Sequence, residues 1–167
     1  MGTLLVDLLT EPEERIDERT AEIRFDIALL TRRLVGILDW LKDTDATRAL
    51  AIGLFGASTG AAAALRSAAA RPKLVRAVVS RGGRVDLAAN ESPDVAAATL
   101  LIVGGADTDV LALNRWSLPR IGAGEKRLAV VAGATHLFAE SGALEQVASL
   151  AAAWFLEHLG KGTSDGC

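Results

Sequence analysis

The chain of 167 residues has a single cysteine, and it is the last residue, Cys167. That excludes an internal disulfide and any cysteine-built metal site. There are only two histidines, His136 and His158, and no carboxylate cluster at ligand spacing, so no metal is expected. Basic residues are not in excess: the net charge is −3, which leaves no electrostatic footprint for nucleic acid. No apolar run approaches the roughly 20 residues of a membrane span. Residues 1–9 are apolar but have neither a basic flank nor a cleavage site, and Glu11, Glu13 and Glu14 follow at once. They read as a strand rather than a signal peptide. No G-K-[ST] sequence occurs, which excludes a P-loop. Internal repeats and low-complexity linkers are also missing. A soluble, cytoplasmic protein with no membrane or nucleic-acid partner is the expectation.

What is present is a globular composition, 50% apolar and 23% charged, at a length that suits one domain. That domain is expected over residues 1–160, with 161–167 a mobile polar tail. Residues 3–9 suit a buried parallel strand interrupted by Asp7. The charged stretch 10–24, with Pro12 at a helix start, reads as a solvated loop and helical turn. Ile23, Ile27, Leu30, Leu34, Leu38 and Leu41 recur every three or four residues and predict an amphipathic helix. Continuous apolar runs at 49–55, 74–80, 99–103 and 128–131 predict further strands. Between them lie an alanine-rich helix over 61–70, ended by Pro72, and a short helix over 110–118, stopped near Pro119. Leu144, Val147, Ala151 and Trp154 mark a final helix, and His158 on the same stripe reads as a partly buried structural histidine. Strands alternating with helices indicate an α/β domain, a mostly parallel sheet of about five strands covered on both faces.

The sequence turns on Gly56-Ala57-Ser58-Thr59-Gly60, set between a strand and a helix. This is the G-x-S-x-G nucleophile elbow, whose flanking glycines are expected to make room for a strained serine. The competing reading is a serine that only caps the alanine helix. Asp107 and His136 each lie just beyond the end of a later strand, on the edge where sites form in parallel sheets. A serine hydroxyl needs an imidazole to take its proton, and the imidazole needs a carboxylate to hold its tautomer. Asp107 also suits an ordinary turn. Arg81 and Arg84 are either solvated loop residues or a fork for an anionic substrate. Trp116 and Phe138 are either pocket walls or core.

These residues resemble α/β-hydrolases of the dienelactone-hydrolase type, including a bacterial group found fused to phosphoribosyltransferase domains. The resemblance rests on Gly56 to Gly60, Ser80-Arg81-Gly82-Gly83-Arg84, Gly104 with Asp107 and Val110, and Gly133-Ala134-Thr135-His136-Leu137-Phe138. It implies Ser58 as nucleophile, His136 as base and Asp107 as acid. Asp109 is the competing acid, but Asp107 is in register with the family's G-x-x-D-x-x-V pattern. The Thr59 N–H would form half of the oxyanion hole. The family's other donor comes from an H-G-type loop, which the resemblance leads one to expect is absent from these residues; one lost donor costs about 100- to 1000-fold in rate. The strand that normally lies between residues 3–9 and the elbow strand is also expected to be missing. Residues 3–9 would then pair directly with 49–55, or a second copy would cover the edge in a homodimer.

Three functions follow. The first is a cofactor-free serine hydrolase acting on a small ester, lactone or thioester. The second is a hydrolase-like binding or scaffold protein without catalysis. The third is an NADP-type nucleotide-binding domain built on Gly53, Gly56, Gly60 and Arg81, which leaves Asp107 and His136 unexplained.

Overall fold

The computed structural model describes residues 1–160; the expected tail and Cys167 lie outside the described residues. Two helices come first, α1 (Glu11–Thr20) and α2 (Ile27–Asp43). Then follow β1 (Ile52–Ala57), α3 (Thr59–Ala70), β2 (Val75–Arg81), β3 (Ala98–Gly104), α4 (Thr108–Ser117), β4 (Lys126–Val131) and α5 (Ala143–Leu159). The strands form one parallel sheet in the order β1-β2-β3-β4.

Alternation along each strand divides the core in two. Leu54, Val78 and Leu101 point to one face, where Ile27, Leu30 and Leu38 of α2 and the alanines of α3 cover them. Ala77, Val79, Leu100 and Ile102 point to the other, against Val147, Ala151 and Trp154 of α5. The alanines matter because small side chains let α3 lie close on the sheet: Ala61 to Ala63 are fully buried. The apolar stripe read from sequence packs as expected from Ile27 to Leu38, while Ile23 falls in a preceding 3₁₀ turn.

One expected strand is not there. Residues 1–7 are irregular and exposed, Leu5 at 89%, and only Leu8 and Leu9 pack against the α2–α3 core. The sheet therefore has four strands rather than five, and the elbow strand is its edge. An apolar run becomes a strand only when a ladder partner satisfies its backbone. This run is held instead by its two leucines and by Arg33, whose Nη1 donates to the Leu8 carbonyl at 2.7 Å. The charged stretch after it is more ordered than a solvated turn. It forms α1, with the Glu13 carboxylate bound by Thr10 N–H and by the Arg33 guanidinium. Among the described residues no helix is long and apolar enough to cross a membrane.

Candidate active site

β1 delivers the chain to Ser58, where it must reverse into α3. Ser58 has φ +49° and ψ −122°, a conformation that costs a non-glycine residue strain. Three backbone bonds hold it: Ser58 N–H donates to the Arg81 carbonyl at 3.1 Å, and the Ser58 carbonyl accepts from Arg84 N–H at 3.0 Å and from Ala61 N–H at 3.2 Å. Gly56 makes the turn possible, since a Cβ there would lie 2.5 Å from the Gly60 carbonyl oxygen and 2.7 Å from Ala61. Gly60 does not, because the space around its own Cβ position is open. The expectation that both glycines make room is thus corrected to Gly56 alone. The Ser58 hydroxyl makes no capping hydrogen bond to α3. The Thr59 N–H, first of the helix, has no backbone acceptor among the described residues, and such helix ends carry partial positive charge.

The other two residues meet because Gly104 ends β3. A Cβ there would lie 2.3 Å from the Ala134 carbonyl oxygen, so only glycine lets the loops after β3 and β4 touch. Ala106 N–H donates to that carbonyl at 2.9 Å. On this joint His136 Nδ1 lies 2.7 Å from Asp107 Oδ2. An ionised carboxylate can only accept, so Nδ1 carries the proton and Nε2 is left as the basic nitrogen. Asp109 is elsewhere, beside Asp86, Ala112, Leu113 and Trp116 in a shallow hollow of about 620 Å³. The His136 ring packs on Gly82, whose Cβ position is 3.5 Å from Nδ1. The turn after β2 therefore touches both Ser58 and His136, although no hydrogen bond joins the two among the described residues.

Beside Ser58 and Thr59 opens a hollow of about 400 Å³, walled by Asp7, Leu8, Leu9, Glu14, Asp17, Glu18 and Arg24. Asp17 is buried there. Burial alone would raise its pKa, but the Arg24 backbone N–H at 2.8 Å and guanidinium at 2.5 Å outweigh it and hold the carboxyl below its ordinary value. Asp7, Glu14 and Glu18 have no ion-pair partner among the described residues, so this wall is acidic.

No protein-family model matches the chain. A dienelactone hydrolase from Anabaena variabilis superposes with a TM-score of 0.87 at 55% identity, over 92% of this chain and 70% of that one. The chain belongs to the dienelactone hydrolase family. Two Mycobacterium tuberculosis proteins, each named "Putative phosphoribosyl transferase", are 55% identical over 158 residues. That match takes in 95% of this chain and only 34% of theirs, so the chain spans about a third of these curated relatives. Est1E from Butyrivibrio proteoclasticus shares the fold at a TM-score of 0.70 and 14% identity, over 83% of this chain and 72% of that one.

Within this dienelactone-hydrolase fold the two expected substrate arginines part company. The Arg84 guanidinium is engaged by Asp86 in a two-pronged pair at 2.8 and 2.9 Å. Arg81 runs toward Phe138, 5.9 Å from the ring centre, and its buried Nε has no hydrogen-bond partner among the described residues. Neither lines the hollow beside Ser58. Phe138 is 1% exposed and belongs to the core, while Trp116 is half exposed under Arg120 and lines the Asp109 hollow. Sequence reasoning missed Asn114, a fully buried amide in α4 whose Nδ2 donates to the Gly83 carbonyl at 2.8 Å. It ties the helix after Asp107 to the turn under Ser58. A polar residue on the inward face of a short helix was its only signal. The acidic wall was missed because its residues were assigned to solvent.

Proposed function

We propose that the chain is a serine hydrolase of small carboxylic esters or lactones, working through Ser58, His136 and Asp107. Ser58 Oγ attacks the acyl carbonyl while His136 Nε2 takes its proton. Asp107 holds the Nδ1 tautomer and stabilises the imidazolium. The Thr59 N–H and the end of α3 bind the oxyanion. His136 returns the proton to the leaving alkoxide; in a lactone this becomes a free hydroxyl still attached to the acyl group. Water, deprotonated by His136, then releases the acid and restores Ser58.

The observation that carries this reading is the His136–Asp107 pair at 2.7 Å, packed on the same turn after β2 that holds the strained Ser58. The relationship to the Anabaena dienelactone hydrolase supports it. Phosphoribosyl transfer, in the name of the mycobacterial relatives, is not assigned to this third of their length. A contact with a substrate carboxylate would need Arg81 to turn out from Phe138 or Arg84 to leave Asp86, since neither lines the hollow beside Ser58. A non-catalytic role has one observation in its favour, the lack of a Ser58–His136 hydrogen bond. A nucleotide at the α3 N-terminus would face Asp7, Glu14 and Glu18, which repel phosphate. We also propose that residues 1–160 act as one domain and that a second copy covers the free edge of β1.

The test is fluorophosphonate labelling, read by mass spectrometry at the Ser58 peptide, with hydrolysis of p-nitrophenyl acetate and a small lactone. Labelling at Ser58 and hydrolysis lost in Ser58→Ala are expected. Asp107→Asn should lower kcat by about 1000- to 10,000-fold through the wrong tautomer, and Asp109→Asn by little. Full activity in Ser58→Ala would end the proposal.

A further inference from the structure

Another group of reactive side chains lies at the far end of the sheet from Ser58, where β4 begins and α5 ends. Glu125 precedes β4, and its backbone carbonyl accepts from Thr99 N–H at 2.9 Å. Glu157 and His158 lie in the last turn of α5. The His158 side chain is 8% exposed, and its buried Nε2 has no hydrogen-bond partner among the described residues. The ring is held against Trp154, centroids 4.3 Å apart, and Trp154 is itself anchored by its indole N–H to the Ala98 carbonyl at 3.2 Å. Nε2 is aimed between two carboxylates, 3.7 Å from Glu125 Oε2 and 4.0 Å from Glu157 Oε2. These separations are too long for hydrogen bonds. Lys126, the neighbouring cation, is turned away to the carbonyls of Ile121 and Pro119.

A buried imidazole nitrogen without a partner is costly. Glu157 adds to the cost, since it sits at a helix C-terminus whose carbonyls already carry partial negative charge. One group would relieve both. We propose that Glu125, Glu157 and His158 form a site for a divalent transition cation such as Zn²⁺, with His158 Nε2 and one oxygen from each glutamate as ligands and water completing the shell. The three ligand atoms lie within 4.8 Å of one another. Zn–N and Zn–O bonds of roughly 2.0–2.2 Å would bring them to about 3.3 Å in a tetrahedral arrangement. The glutamates can supply that closure because their side chains are 62% and 52% exposed, whereas the ring is fixed. The imidazole disfavours Mg²⁺ and Ca²⁺, which take oxygen ligands. The ion would pin the end of α5 to the start of β4, remote from Ser58, so hydrolysis does not require it.

The test uses the full chain, stripped with a chelator and titrated with ZnCl₂ by calorimetry and thermal unfolding, with MgCl₂ in parallel. One Zn²⁺ per chain is expected, with Tm raised by about 5–10 °C at a hundredfold excess over Kd, and no response to Mg²⁺. Glu125→Gln changes an exposed side chain, so it should fold normally and bind Zn²⁺ at least tenfold more weakly, as should Glu157→Gln. Cys167→Ser should bind as the parent does. No zinc binding, equal binding by Glu125→Gln, or binding that disappears with Cys167 would each overturn the site.

Discussion

Gly56 and Gly60 flank the same serine, yet space constrains only one of them. A Cβ on Gly56 would meet the backbone of Gly60 and Ala61, and no side chain can swing away to admit it. Gly56→Ala should therefore force β1 and α3 apart, costing roughly 1–3 kcal/mol or more and abolishing hydrolysis. Gly60→Ala meets nothing and should stabilise α3 by about 0.5–1 kcal/mol. Denaturant midpoints of the two variants check this, and equal destabilisation would count against it. The same contrast shows how legible single residues were. The elbow pattern pointed to Ser58, but not to which glycine the fold needs. Arg84 read as free because nothing in its spacing showed that Asp86, two residues on, would hold it.

Helix α1 looked like solvated charge because its partners are distant in sequence. Glu13 is bound by Arg33, 20 residues on, in a paired contact at 2.7 Å, and by Thr10 N–H and hydroxyl at 2.8 Å. The Arg33 hydrogen bonds, and those of Thr10 after them, bring its pKa down from 4.5 to about 2. A carboxyl depressed on folding stabilises the fold above its unfolded pKa, and the contribution fades as pH falls through the folded one. Glu13→Gln should therefore destabilise the protein at pH 7, and the gap from the parent should close as pH falls from 4.5 toward 2. Urea midpoints across that range test it; a gap that stays constant would show that the ion pair is not the cause.

The whole sheet has an uneven rim. β1 pairs only with β2, and Phe55 on it is 49% exposed. Leu4, Leu5 and Val6 are exposed as well. Open apolar edges recruit other strands, so the proposed second copy has a physical motive. Light scattering after size exclusion should give a dimer, and Phe55→Lys should shift it toward monomer. A parent chain that stays monomeric at high concentration would refute the dimer.

Local rules settled much of this protein from sequence alone. Apolar runs and three-to-four spacing located the strands β1 to β4 and the helices around them. Motif and strand-end position singled out Ser58, Asp107 and His136. Those signals act over a few residues, so they survive without knowledge of neighbours. Only the tertiary structure decided that residues 3–9 are not a strand, that Arg33 reaches Glu13, and that Glu125 reaches His158. Each depends on which distant backbones approach. Gly104 shows why: a missing side chain lets two loops touch, and the residues they carry become neighbours.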